Sequence, residues 1–451
     1  MGSEDNVSVL LGDPRKAIRS MVVPLLVSLL VVEVNTMADR AWCSGLGPDA
    51  LAAIAVVTPI YMVITGLGNG LGVGAASMVA RRIGAGDRAS AEVCVRQTML
   101  FAIVFGLLLT PLLYLSMWPI LDVIGSPDIN SLAAEYMGAI VLSSTVFIVS
   151  GAMAGLLRGE GGARMATWMV SLTAVCNIVL DPILIYGFGM GVTGAAVATS
   201  VSTLLSIAFG LYLYGSRMTY LRMDVRGGVD RVQMRAVLSM GVPQMMEYTV
   251  MYAMNIVLNY LVLYCAGSEG LTVYSVPNLI VGLAVIPAMA IGSSLVPVAS
   301  SAYGQGDMGR IADAYRYSLT VALASTAAIA LVAMLLPEQL LFVFTYSPET
   351  EALRPMMAEA LRIYALYIPL FAFIPVGSSL LQALGRPNRS VVLAVVRNLI
   401  LIALYAVAAQ HSLYWIYWAV VVGELVGGLM MYAVAGRTFA AVRGSGPSGT
   451  G

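Results

Sequence analysis

Four side chains in the first half of the chain have the types and spacing for binding a small cation: Asp39, Asn177, Asp181 and Thr199. Asn35 and Asp39 are four residues apart, and so are Asn177 and Asp181. On a helix each pair therefore shares one face. Carboxylate, amide and hydroxyl oxygens gathered in one place suit a hard cation such as sodium, or a proton held on one of two neighbouring carboxylates. Pro182 adds to the set, because it leaves the carbonyl of Ile178 without its helical donor. The alternative for these groups is that they only staple helices together.

Depth decides whether the two faces meet, since both lie in stretches apolar enough to cross a bilayer. At 1.5 Å per residue, Asp181 stands roughly 24 Å above the inner end of its span and Thr199 roughly 10 Å below the outer end of the next. In a hydrocarbon core about 30 Å thick both fall in the outer half. Asp39 lies higher on a straight helix, and a hinge at Pro24, which deletes an internal hydrogen bond, would lower it. A carboxylate in the bilayer costs at least about 2.5 kcal/mol, so each one needs a reason. Glu33 lies on a different face from Asp39 and is kept as an additional proton or ion-pair site. In the second half Glu247, Arg397 and Glu424 reach similar depths. Arg397 is expected to pair with Glu424 across adjacent helices, leaving Glu247 to carry a transferable proton.

These residues sit in a chain of 451 residues that is 59% hydrophobic and 11% charged, against roughly 25% charged in an ordinary soluble domain. Apolar runs predict helices near 17–40, 50–78, 93–118, 133–157, 165–187 and 192–215, then 237–264, 272–300, 315–336, 356–383, 390–410 and 413–436. Runs this long and continuous exclude a barrel, whose strands alternate over about ten residues. The first run lacks a small-residue cleavage site and reads as a span, not a removed signal. Net charge is zero and Lys16 is the only lysine; with no basic face or tail, nucleic-acid binding has no footprint.

Orientation follows from the arginines, which cytoplasmic loops retain. Arg15, Lys16, Arg19, Arg81, Arg82, Arg88, Arg158, Arg164, the run from Arg217 to Arg235, Arg310, Arg386, Arg389, Arg437 and Arg443 fall on one side. The other side has little basic beyond Arg40, Arg354 and Arg362, and carries Asp122, Asp128, Glu269, Glu338, Glu349 and Glu351. A multi-pass protein with both termini cytoplasmic is expected.

The halves repeat at a shift near 220 residues. SMVVP at 20–24 matches SMGVP at 239–243, GPDAL at 47–51 matches GSEGL at 267–271, and GAGD at 84–87 matches GQGD at 304–307. After a small insertion Leu156, Leu157 and Gly161 match Leu380, Leu381 and Gly385. The expected fold is an all-α integral membrane protein of twelve transmembrane helices, in two six-helix lobes related by a pseudo-twofold axis along the membrane normal. The N-terminal lobe is 1–215, a cytoplasmic linker 216–236, and the C-terminal lobe 237–451. GAGD and GQGD lack the lysine of a phosphate-binding loop and read as tight turns. The second-half equivalents of Asp39 and Asp181 fall near Asn259 and Tyr405, so the cation site is not duplicated.

Taken together, Pro24 and Asp39 in the first span, LGPDALAAI at 46–54, RIGAGDRASAE at 82–92, NIVLDP at 177–182 and GVTGAAVAT at 191–199 resemble the MATE (multidrug and toxic compound extrusion) family over essentially the whole chain. The resemblance is to the DinF-like and archaeal branches, and it implies export of cationic or amphipathic organic compounds by proton- or sodium-coupled antiport with alternating access. It also implies a first-lobe cation site at Asp39, Asn177, Asp181 and Thr199. NorM-type relatives carry an aspartate where Phe373 or its neighbours stand here, so a second-lobe sodium site of that type is not expected.

The expected setting is the plasma (inner) membrane of a prokaryote. Small organic substrates and membrane lipids are the expected partners, the chain acting as a monomer with no cofactor besides the transported H+ or Na+. The 27 methionines, Met240, Met245, Met246, Met251 and Met254 among them, suit an adaptable cavity wall as well as simple packing. Cys43, Cys94, Cys176 and Cys265 show no metal or redox spacing. No DDxxD motif, His-rich set or nucleophile with a base supports an enzyme. The alternative function is a lipid or lipid-linked saccharide flippase of the same superfamily, which would place several arginines in its cavity; Arg397 is the only clear intramembrane one.

Overall fold

The computed structural model describes residues 3–124, 128–223, 227–345 and 348–445, and all regular structure among them is helical. Arg226, within the arginine-rich linker, lies outside the described residues. A short α1 (Ser3–Leu11) precedes α2 (Pro14–Ser44), α3 (Pro48–Gly84), α4 (Arg88–Ile124), α5 (Asn130–Leu142), α6 (Ser144–Gly159), α7 (Ala163–Pro182) and α8 (Gly191–Gly215). Then come α9 (Arg231–Gly304), α10 (Met308–Leu335), α11 (Pro337–Phe342), α12 (Pro348–Ala365), α13 (Ile368–Phe371), α14 (Phe373–Ala383), α15 (Pro387–Ala408) and α16 (Leu413–Ser445).

Ten stretches among the described residues are each long and apolar enough to cross a membrane, and two bent helix pairs bring the spans to twelve. α9 supplies two of the ten, Arg231–Gly267 and Glu269–Gly304, because Gly267 breaks it at φ 65. The two bent spans correct the expectation of single helices at 133–157 and 356–383. α5 and α6 meet at 48° across Ser143, and the hydroxyls of Thr110 and Ser144, 2.7 Å apart, bind beside the break. The second bend, 47°, falls between Ala365 and Ile368, where Pro369 has no amide to return to the preceding turn. α1, absent from the sequence reading, buries Val7 and Leu10.

The repeat recurs in the backbone. Gly47 and Gly267, Gly86 and Gly306, and Gly161 and Gly385 all hold positive φ, the region that an L side chain avoids and glycine enters freely. In GAGD the amide of Asp87 returns to the Arg82 carbonyl at 3.0 Å, closing one helix, while the Asp87 carboxylate takes the Ser90 amide at 3.0 Å, opening the next. GQGD does the same with Asp307, Ala302 and Arg310.

By packing, the chain divides into two compact units, Met1–Thr249 and Val250–Gly451. In the first, α3 lies against α6 along Gly68, Gly72 and Ala76 facing Gly151, Gly155 and Gly159; a Cβ on Gly155 would run into the Gly72 backbone. Small residues four apart let two helix backbones touch where lipid supplies no hydrophobic drive. The start of α9 packs on the same helix, since Gly70 and Gly74 of α3 abut Met245 and Gly241. In the second unit the core gathers Tyr364, Tyr405 and Ile416, each 2% exposed or less.

Candidate functional site

The first unit brings together the four residues expected to bind a cation. α2 lies along α7, and α7 along α8. Two side-chain bonds fix α2 against the neighbouring stretch: the Thr167 hydroxyl donates to the Pro24 carbonyl at 2.8 Å, and the Tyr186 hydroxyl donates to the Trp42 carbonyl. α2 is helical across Pro24 without a break. Beyond Asp181, Pro182 cannot donate, and the chain widens into one π turn, Ile183–Gly187.

Asn177 is the hub. Its Nδ2 donates to Asp181 Oδ1 at 3.1 Å and to Thr199 Oγ1 at 3.3 Å. Thr199 in turn donates to the Ala195 carbonyl at 3.0 Å. From α2, Asp39 receives the Asn35 amide at 3.4 Å, and its carboxyl lies within hydrogen-bonding reach of Asp181. Asn177 and Asp181 are fully buried.

What this cluster lacks is a donor. Asp181 Oδ2, Asn177 Oδ1 and Asn35 Oδ1 are buried with no hydrogen-bond partner. Buried acceptors are nearly always satisfied, and two carboxyls that face each other cannot satisfy one another while both are ionised. A shared proton or a bound monovalent cation resolves both problems at once. No group of three or more His, Cys, Asp or Glu capable of holding a metal occurs among the described residues. Two carboxylates with amide and hydroxyl oxygens are a donor set for a hard, weakly held ion, not for zinc or copper.

Sequence reasoning missed the wall around the pair. Tyr61 of α3 and Tyr136 of α5 stand close enough to feel the charge of Asp39, and Cys43 feels both carboxylates. Cys43 is buried with Ile185 and Ala195, against Tyr136. A hydroxyl-bearing aromatic within a span was the one available signal, and many such residues occur in this chain. Glu33 is half-buried and is not part of the cluster.

In the second unit Arg397 of α15 meets Glu424 of α16, Nη1 to Oε2 at 3.1 Å, with side chains 14% and 13% exposed. Gly427 makes room: a Cβ there would strike the Arg397 side-chain methylenes. Glu247 belongs to the first unit. It accepts from Gln244 at 2.9 Å and lies on the stretch of α9 that packs with the first unit.

The MatE family pattern matches residues 24–183 and 243–407. An FAD transporter of Shewanella oneidensis is 24% identical over 437 residues, covering 94% of each chain. A probable multidrug resistance protein NorM of Thermotoga maritima is 24% identical over 368 residues, 79% of this chain and 78% of its own. Among solved structures, a MOP-superfamily transporter from Pyrococcus furiosus superposes with a TM-score of 0.93 at 28% identity, covering 98% of this chain and 100% of that one.

Proposed function

The chain belongs to the MatE family, and from that premise we propose that it exports small cationic or amphipathic organic compounds by alternating access, in exchange for protons or sodium ions. The observation that carries this reading is the set of buried, partnerless oxygens on Asp181, Asn177 and Asn35. An ion entering there leaves the pair a single net charge and removes the repulsion; with the ion gone, two charges at about 4 Å repel by about 4 kcal/mol at an effective dielectric of 20. That difference is what couples ion to conformation, since a ligand shifts an equilibrium only by its differential affinity for the two states. Asn177 and Thr199 tune affinity with neutral oxygens. Pro24, which has no amide to bind the preceding turn, is the hinge about which α2 leaves α7 when the pair is charged.

The arginine bias supports an inner-membrane setting with both termini cytoplasmic. Lobes at 1–215 and 237–451, joined by 216–236, follow from the repeat. A flippase for lipid-linked saccharides would need arginines free for a pyrophosphate, whereas Arg397 is bound to Glu424.

Proteoliposomes with an imposed proton or sodium gradient test the reading, with a fluorescent organic cation and FAD as cargo. Gradient-driven transport is expected, lost in Asp39→Asn and in Asp181→Asn while both variants remain inserted. Normal transport by both variants would overturn the site, and transport indifferent to either gradient would overturn antiport. Transport of FAD alone would move the substrate class to that named for the Shewanella relative.

A further inference from the structure

At the arginine-rich end of the first unit, the segment following α8 folds back onto the helices. Thr219 and Leu221 are 5% and 1% exposed. The Leu221 amide donates to Glu160 Oε2 at 3.0 Å, and the Arg222 amide to Glu92 Oε1 at 3.3 Å. Arg88 holds the turn from the other side: Nη2 donates to the Tyr220 carbonyl at 2.6 Å, and its guanidinium lies over the Tyr220 ring at 4.5 Å.

Under this fold-back is a pocket of about 120 Å³ whose walls include Arg88, Arg217, Arg222, Tyr214 and Glu4. Three arginines and Glu4 line it, with Glu92 and Glu160 holding the amides of Arg222 and Leu221 beside it. Arg88 is already paired, Nε to Glu92 Oε1 at 3.1 Å, so Arg217 and Arg222, set against Glu4, leave one positive charge in excess. The volume accommodates several water-sized groups, which is room for a phosphate. Guanidinium forks match phosphate oxygens bidentately.

Two independent features point to an occupant. Tyr214 is 6% exposed, and its hydroxyl is buried with no hydrogen-bond partner, an arrangement that costs free energy unless an acceptor arrives. Arg217 holds φ 58, the only non-glycine at positive φ among the described residues. It occupies the left-handed position where a helix normally ends on glycine, and the Met218 amide returns to the Leu213 carbonyl at 3.2 Å. A guanidinium is kept at a place where glycine would relieve the backbone, and strain of this kind collects at functional sites.

We propose that this pocket binds a phosphate-bearing anion, through Arg217, Arg222 and the Tyr214 hydroxyl. The shared chemistry has two sources, the headgroup of an anionic phospholipid and a free phosphate compound. The inference does not depend on the ion-coupled export proposed above.

The test uses the full chain purified in detergent. Native mass spectrometry compares retention of phosphatidylglycerol with phosphatidylcholine of the same acyl chains. Thermal-shift titration with inorganic phosphate and pyrophosphate, at ionic strength matched with chloride, reads soluble anions. The expected result is preferential retention of phosphatidylglycerol, or a saturable phosphate shift, whichever source is the true one. Arg217→Gly and Arg222→Ala should each weaken it about tenfold, as loss of a charge-assisted hydrogen bond does, and Tyr214→Phe severalfold. Arg217→Gly separates binding from folding, because it relieves the backbone and should leave the melting temperature of the free protein unchanged or higher. Equal retention of both lipids with no phosphate shift overturns the proposal. So does an anion affinity that the Arg217→Gly/Arg222→Ala double variant leaves intact.

Discussion

Replacing Arg397 with alanine should harm the protein more than replacing Arg397 and Glu424 together. The two side chains are 14% and 13% exposed and 3.1 Å apart. At that separation and an effective dielectric of 20, their attraction is about 5 kcal/mol. Arg397→Ala forfeits it and strands the Glu424 carboxylate among Tyr274 and Tyr367, whose environments it already influences. Breaking one side of a buried pair typically costs about 3 to 5 kcal/mol, because the survivor keeps its desolvation penalty without a partner. Glu424→Ala strands the guanidinium, whose Nε already has no partner. The double variant removes both charges, leaving only lost packing where the Arg397 methylenes cover Gly427, about 1 to 3 kcal/mol. Thermal unfolding of the detergent-solubilised protein, with membrane yield alongside, reads all four corners of the cycle. Singles that sum to the double within about 0.5 kcal/mol, the additivity of independent sites, would refute the reasoning.

Three further outcomes are expected. Gly155→Ala should destabilise by about 1 to 3 kcal/mol through overpacking, since its Cβ meets the Gly72 backbone; Gly138→Ala, whose Cβ meets nothing within 4 Å, is the control in the same melting assay, and equal effects would dismiss the close contact. Asn177→Ala and Thr199→Ala should raise the cation concentration for half-maximal transport; a lowered yield with unchanged cation dependence would make them helix staples. Glu160, at the loop end of α6, is 1% exposed, and burial pushes its carboxyl up to about 8 against the Leu221 and Tyr220 amides and Arg88, which pull it down. The folded chain therefore keeps a proton that the unfolded chain releases above about 4.3, so stability falls between there and pH 8, by about 1.4 kcal/mol per unit. Glu160→Gln should flatten that part of the slope in melting temperatures taken at pH 6 and 8; a wild-type slope shared by the variant would refute it.

Hydropathy alone determined that this is a twelve-span helical membrane protein, because a run of about 20 apolar residues has few other solutions in lipid. The turns were equally legible: GAGD and GQGD spell a left-handed glycine followed by a capping aspartate, a local code that needs no tertiary partner. The same was true of each half of the site, where Asn35 with Asp39 and Asn177 with Asp181 follow from helical spacing. α1 escaped notice because it is too short and too polar to read as a span. The bends in α5–α6 and α12–α14 were hidden because hydropathy does not register where a backbone changes direction.

Only the tertiary structure decided that Asp39 comes beside Asp181, that Tyr61 and Tyr136 lie near Asp39, and that Glu247 packs with the first unit. It also decided that the segment after α8 is folded down by Glu160 and Arg88. Periodicity reports which residues of one helix share a face, but which faces meet depends on how closely the helices approach. That is set by contacts between distant glycines, such as Gly72 with Gly155 and Gly74 with Gly241, whose partners no local pattern names.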